Sequence, residues 1–258
     1  MSIVGPEQPL NPQLLSKNRG IKWKFMSGGK LNCPIVIRAI VGRGWGQAAQ
    51  HSQSLQAMFS HVPGLKVVLP ASAYDAKGLL LSAIQDLDPV ILIEHRLLYE
   101  TTSPVPLEPY TVPLGRGHVV RPGKNITVVA FSYMVKEALE AAKILEEEGI
   151  DIEVVDPRST SPLDMDTILT SVYKTRRVIV ADTGWENYGV AAEICSKIYE
   201  KAFNLLEGPV KRVALPNEST PCSSALEKQY YPGIKEMIDS ARELMKPEIK
   251  QIPEVVFG

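Results

Sequence analysis

The run G-R-G-W-G-Q-A-A-Q-H-S-Q at residues 42–53 holds the side chains best placed to do chemistry. Gly42, Gly44 and Gly46 follow an apolar stretch at 34–41 and lead into Gln50, His51, Ser52 and Gln53. Glycine reaches backbone conformations closed to other residues and lets the chain approach a ligand closely. A strand followed by such a loop and then a helix is where open α/β sheets keep ligands. An imidazole titrates near neutral pH, so His51 is the candidate proton donor or acceptor for a group within hydrogen-bond reach. Gln50, Ser52 and Gln53 either hold its tautomer or are simply the polar residues of a helix start. His61, His95 and His118 have no comparable setting and read as structural.

The elements that must position this loop alternate along the chain. Apolar runs at 34–41, 65–69 and 90–94 have the pattern of buried strands. Between the last two, Ala76, Leu79, Leu80, Ala83 and Ile84 form a helical stripe over 72–86, with Ser72 as N-cap. Four prolines between Pro104 and Pro113 mark a stiff linker ending near Pro122. Beyond it, strands are expected at 126–131, 152–155, 178–181 and 210–213. Helices are expected at 134–148, closed by Gly149, and at 164–172, 189–201 and 234–245. Such alternation implies parallel pairing and a layered α/β sandwich. The expected division is an irregular proline-rich arm at 1–24, a first α/β unit at 25–103, a linker at 104–122 and a second unit at 123–258. A first sheet lacking its leading strands would expose an edge unless a partner or the arm covers it.

Composition excludes several classes. Hydrophobic residues make up 45% and charged residues 22%, a globular balance, and the formal charge of −1 provides no global field for nucleic acid or an acidic membrane. No apolar run reaches membrane-spanning length. Three scattered cysteines, Cys33, Cys195 and Cys222, fit neither a zinc cage nor a disulfide framework. A cytoplasmic protein with no nucleic-acid or membrane partner is expected.

The same residues carry a family resemblance. The 34–38 and 42–53 runs, P-G-L-K-V-V at 63–68, Y-D-A-K-G-L-L at 74–80 and D-P-V at 88–90 all contribute. So do D-P-R-S-T-S-P-L-D at 156–164, G-V-A-A-E-I at 189–194 and Thr220-Pro221 through Leu226-Glu227. Together, over about 25–245, the chain resembles the β subunit of the thiamine-diphosphate-dependent decarboxylase of 2-oxoacid dehydrogenase complexes, a transketolase-like family. The resemblance implies a partial pyrimidine-binding domain followed by a C-terminal α/β sandwich. It implies oxidative decarboxylation and lipoyl acylation with an α partner in an α2β2 assembly docked to a lipoyl acyltransferase core. Thiamine diphosphate and Mg2+ would be held mainly by the α subunit.

The resemblance places His51 in the channel to the reactive thiazolium carbon, with Gln50, Ser52 and Gln53 beside it. It assigns a possible potassium ion to the backbone carbonyls of Ile35, Ala83, Ile84, Asp86 and Asp88. The family's cofactor-orienting glutamate precedes the matched range, which starts at 22–29, and is carried to no residue here. Trp45 stands where smaller residues are common. Arg38 is expected in a salt bridge, Asp156, Arg158 and Asp164 in capping and subunit contact, and Asp182 at a subunit interface. Glu193 is read as an interface or solvated residue, and Cys195 as a small buried hydrophobe. Two alternatives remain: half of a split transketolase-like enzyme, or a non-catalytic assembly or regulatory module.

Overall fold

The structure, a computed structural model, describes residues 2–4, 19–43 and 46–246. The N-terminal half contains β1 (Ser2–Val4), α1 (Arg19–Met26), β2 (Val36–Val41), α2 (Ala48–His51), α3 (Gln56–Ser60), β3 (Lys66–Val68), α4 (Ala73–Gln85) and β4 (Val90–His95). After the proline-rich stretch come β5 (His118–Arg121), β6 (Ile126–Ala130), α5 (Tyr133–Glu147), β7 (Ile152–Asp156), β8 (Ser159–Ser161) and α6 (Met165–Thr175). The chain continues through β9 (Val178–Trp185), α7 (Val190–Ala202), β10 (Lys211–Leu215), α8 (Ser224–Tyr230) and α9 (Ile234–Met245).

Two sheets result, with strand orders β1-β2-β4-β3-β8 and β10-β9-β6-β7-β5. All pairings are parallel except β3 with β8 and β5 with β7. Parallel neighbours need crossovers, which α4 supplies between β3 and β4 and α5 between β6 and β7. The α4 crossover forms where expected because the Ser72 hydroxyl accepts the Asp75 N–H at 3.0 Å and because Leu79 and Ala83 are buried. In the second unit, α5 buries Met134, Val135, Ala138, Ala141, Ala142 and Leu145 at helical spacing. It shares one face of the sheet with α9, while α6 and α7 cover the other.

Four features depart from the sequence expectations. Within the expected irregular arm, Ser2–Val4 pairs in parallel with Ile37 to Ala39 of β2, and Arg19–Met26 is helical. The extended backbone of β1 thus covers part of the β2 edge; the other residues of the arm lie outside the described set. The stretch assigned to a linker ends in β5, an antiparallel edge strand on β7. Finally, β8 lies in the second half of the sequence yet completes the first sheet, with Ser159 opposite Val68. No length or periodicity signal marks a three-residue polar strand, so β8 was legible only as a polar segment.

Candidate active site

The loop that follows β2 is closed at its neck. The Gly42 N–H donates to the Gln53 carbonyl at 3.4 Å. Gly42 has φ +82°, and a Cβ there would fall 2.1 Å from Nε2 of His95, so both the dihedral and the imidazole packed on its Cα require glycine. Gly44 and Trp45 lie outside the described residues. The chain resumes in the short helix α2, which begins with Ala48 at φ +52° and ends on His51. Non-glycine residues at positive φ are costly and cluster where function over-determines the backbone.

His51 is half-buried and Ser52 is buried, whereas Gln50 and Gln53 are exposed. The Gln53 amide donates back to the Ala49 carbonyl at 3.3 Å, so it caps the helix it follows and does not orient the imidazole. Ser52 offers its carbonyl to the Tyr231 hydroxyl at 3.5 Å.

The loop is gripped from both sides. From the first sheet, His95 ends β4 and is buried, its Nδ1 accepting the Leu97 N–H at 3.2 Å and its ring stacked on Tyr133 at 5.0 Å. Burial, then the charges of Arg43 and Arg96, push its pKa down to about 3, so it is neutral near pH 7. From the second unit, the Tyr231 ring lies under the loop's Arg43 guanidinium, 4.5 Å from its centroid, and the Cys222 thiol reaches the Gly46 carbonyl at 3.5 Å. The side chain of Gln56 crosses the same boundary, its amide donating to Asp182 Oδ1 at 2.6 Å. A groove of about 750 Å³ runs alongside, between α3 and the turn after β9, lined by Leu55, Met58, Trp185 and Tyr188 among others. His51 is not among its lining residues.

Several of the residues expected to offer carbonyls to potassium already take part in hydrogen bonds. The Ile35 carbonyl accepts the Val90 N–H at 2.9 Å, the Ala83 carbonyl accepts the Asp86 N–H at 3.3 Å, and the Asp86 side chain accepts the Asp88 N–H at 2.8 Å. Both carboxylates are already paired. Lys66 Nζ lies 2.6 Å from Asp86 and 3.3 Å from Asp88, and Lys24 Nζ lies 2.9 Å from Asp88. The hydrogen bond from Lys24 leads in holding the Asp88 pKa below the usual carboxylate range. This cluster sits where β2 and β4 begin, whereas His51 lies beyond where they end. Six strand residues separate the two places, roughly 20 Å. Among the described residues, no group of three or more His, Cys, Asp or Glu is placed to hold a metal ion.

The remaining candidates all make contacts within the chain. Arg38 makes a two-toothed pair with Glu94, its Nη2 at 2.8 Å from both carboxylate oxygens. Asp164 caps α6 and accepts the Gly117 N–H. Arg158, at φ +60°, pairs with Asp75 of α4 at 2.8 Å, a contact within this chain and across its two sheets. Asp182 likewise meets Gln56 of its own chain. Glu193 pairs with Lys197 one turn on. Burial pushes the Cys195 thiol up to about 11, which keeps it protonated near neutral pH. Sequence reasoning missed Arg96, Tyr133 and Tyr231; the one available signal was E-H-R at 94–96, polar residues closing a buried strand on the ligand side of a parallel sheet.

Two parallel-dominated sheets and a glycine loop beyond the end of β2 that meets the second unit at Tyr231 define the class, and comparison with known proteins supports it. Residues 15–102 match the transketolase pyrimidine-binding domain, and residues 115–237 match the transketolase C-terminal domain. The chain is 45% identical over 229 residues to the acetoin:2,6-dichlorophenolindophenol oxidoreductase subunit beta of Cupriavidus necator, covering 89% of this chain and 68% of that protein. It is 43% identical to the pyruvate dehydrogenase E1 component subunit beta of Rickettsia felis, covering 88% and 70%. A solved split-gene transketolase, titled an inactive beta4 tetramer, superposes with a TM-score of 0.68 at 26% identity, over 83% of this chain and 67% of that one. The chain belongs to the β-subunit family of the 2-oxoacid dehydrogenases, built on transketolase-type pyrimidine-binding and C-terminal domains.

Proposed function

We propose that this chain is the β-type subunit of a thiamine-diphosphate-dependent 2-oxoacid dehydrogenase, working with an α partner in oxidative decarboxylation and lipoyl acylation. The observation that carries this is the neck-closed loop presenting His51 beyond the ends of β2 and β4, against the second domain. When bound, thiamine diphosphate supplies the carbon nucleophile that attacks a 2-oxo group. The residues here fit one wall of such a site. The loop brings backbone close to a bound group, His95 and Tyr231 exclude water behind it, and the His51 imidazole exchanges a proton with the substrate or an incoming lipoyl sulfur. In this reading Mg2+ and the diphosphate are held mainly by the α partner.

In the same proposal the assembly is α2β2, it docks to a lipoyl acyltransferase core, and it works in the cytoplasm. No helix among the described residues is long and apolar enough to cross a membrane. Potassium, where bound, would be held by the backbone carbonyls of Ile35, Ala83, Ile84, Asp86 and Asp88, beside the ammonium groups of Lys24 and Lys66. It acts there on stability rather than chemistry, given its distance from His51. The 26% identity to a split transketolase is well below the 45% and 43% to dehydrogenase-type β subunits, which favours the dehydrogenase.

The test mixes this chain with a candidate α partner, thiamine diphosphate and Mg2+, and assays pyruvate, branched-chain 2-oxoacids and acetoin with a dye acceptor. Turnover that requires both chains is expected. A stable complex with no turnover on any of these substrates would leave only an assembly role.

A further inference from the structure

We propose that Arg96 is the positioning residue of the active-site loop: one buried guanidinium draws both ends of the loop together and so sets where His51 stands. Arg96 is the first residue after β4 and is only 4% exposed. Its Nη1 donates to the Gly42 carbonyl at 3.2 Å, where the loop leaves β2, and to the His51 carbonyl at 3.1 Å, where α2 ends. Those two carbonyls are nine residues apart in sequence. The Gly42 N–H to Gln53 carbonyl bond closes the same neck.

The residue type matters. A buried cation is expensive unless it is satisfied by acceptors, and here backbone carbonyls of the loop serve that purpose. Guanidinium presents donors in a fixed planar fork, whereas an ammonium on a flexible stem imposes no such geometry. The neighbour His95 works on the same place, its ring lying against the Cα of Gly42. Consecutive residues at the end of β4 therefore hold the loop by packing and by charge-assisted bonding. Arg96 does not need to touch a substrate; it acts through His51, and its effect rests on the proton-handling role proposed for that residue.

Two readouts test this in the full-length chain. The first needs no activity. Diethyl pyrocarbonate modification of His51, mapped by mass spectrometry, should run at least about threefold faster in Arg96→Met than in the parent, as a loosened neck uncovers the imidazole. Exposed His61 and His118 serve as internal references and should not change. If Arg96→Met loses its cooperative melt, Arg96→Lys replaces it and should show a smaller increase. An unchanged His51 rate in a folded variant overturns the proposal.

The second readout is lipoyl acylation in the complex with an α partner, thiamine diphosphate and Mg2+. For Arg96→Met, kcat should fall about 10- to 100-fold with KM within about twofold, and Arg96→Lys should recover part of the loss. In the His51→Ala background the same substitution should cost less than about twofold, because its route of action is gone. Losses that multiply fully in the double variant overturn the proposal. Should His51→Ala alone leave acylation untouched, the role assigned to His51 fails, and the modification rates still decide whether Arg96 sets its position.

Discussion

The two sheets of this chain are built to different standards. In the second, every residue of β6 and β7 is buried and helices cover both faces. In the first unit, β2 is only half-buried along most of its length, and apolar side chains of α1 face outward, with Phe25 91% and Met26 71% exposed. Yet the first sheet carries the candidate chemistry. Its loop leans on the second unit through Tyr231, and its helices do so through Gln56–Asp182, the Ser60–Thr160 hydroxyl pair at 2.6 Å, and the Arg158–Asp75 ion pair. Even its last strand, β8, is supplied from the second half of the chain. The lesson is a division of labour: one unit provides the rigid body, and the other presents groups against it.

The sharpest way to break that contrast is to damage each side separately. Leu145→Ala empties a fully buried position in the second core and should cost about 3 kcal/mol of unfolding free energy, read by denaturant melts. Lipoyl acylation by the surviving folded fraction should be unchanged. His51→Ala should do the reverse, with acylation falling about 100-fold, or about 2.7 kcal/mol, while the melting midpoint stays within error. Equal acylation rates in parent and His51→Ala would remove His51 from the site.

How much of this was legible in the sequence follows the same contrast. The second unit's helices and strands could be read from apolar spacing because each buries a full stripe, as α5 does from Met134 to Leu145. The loop at 42–53 could be read from its glycines, and His51 from its place after them. What could not be read are contacts made between segments distant in sequence. Arg96 meets Gly42 and His51 from 54 and 45 residues away, and Tyr231 meets Ser52 from 179 residues away. Arg158 looked like part of a polar motif, but its partner is Asp75 on α4. Such pairings depend on how two sheets dock, and no local pattern encodes that.

A smaller effect separates the two units by pH. Burial is the main reason the Asp156 carboxyl, at the end of β7, is pushed up to about 7; the Asp75 charge adds to this, and the Arg158 N–H and charge oppose it. A carboxyl that binds its proton more tightly when folded contributes stability that is complete below about pH 4 and lost as pH rises through 7. His95, at the first unit's loop, behaves oppositely. Its pKa, depressed to about 3, contributes stability that is complete above about 6.5 and lost as pH falls toward 3. Asp156→Asn should therefore remove about 2 kcal/mol of the decline in unfolding free energy between pH 5 and 8, while leaving the acid limb in place. Denaturant melts at closely spaced pH values check this, and an unaltered alkaline slope would show that Asp156 is ionised in the folded chain.

The smallest effect probes the thin side of the first unit. Phe25→Ser removes a large apolar side chain from α1, but that side chain is already in solvent, so folding buries almost none of its area. Hydrophobic stabilisation scales with the area taken out of water, and substitutions at such sites stay within about 0.5 kcal/mol. Serine and phenylalanine have similar helix propensities, so the exchange in this eight-residue helix adds at most tenths of a kcal/mol to the same sum. The isolated chain should thus melt as the parent does, in contrast to the Leu145→Ala loss. A destabilisation above about 1 kcal/mol would mean that α1 packs as a core element and that the two sheets are less unequal than their exposed side chains indicate.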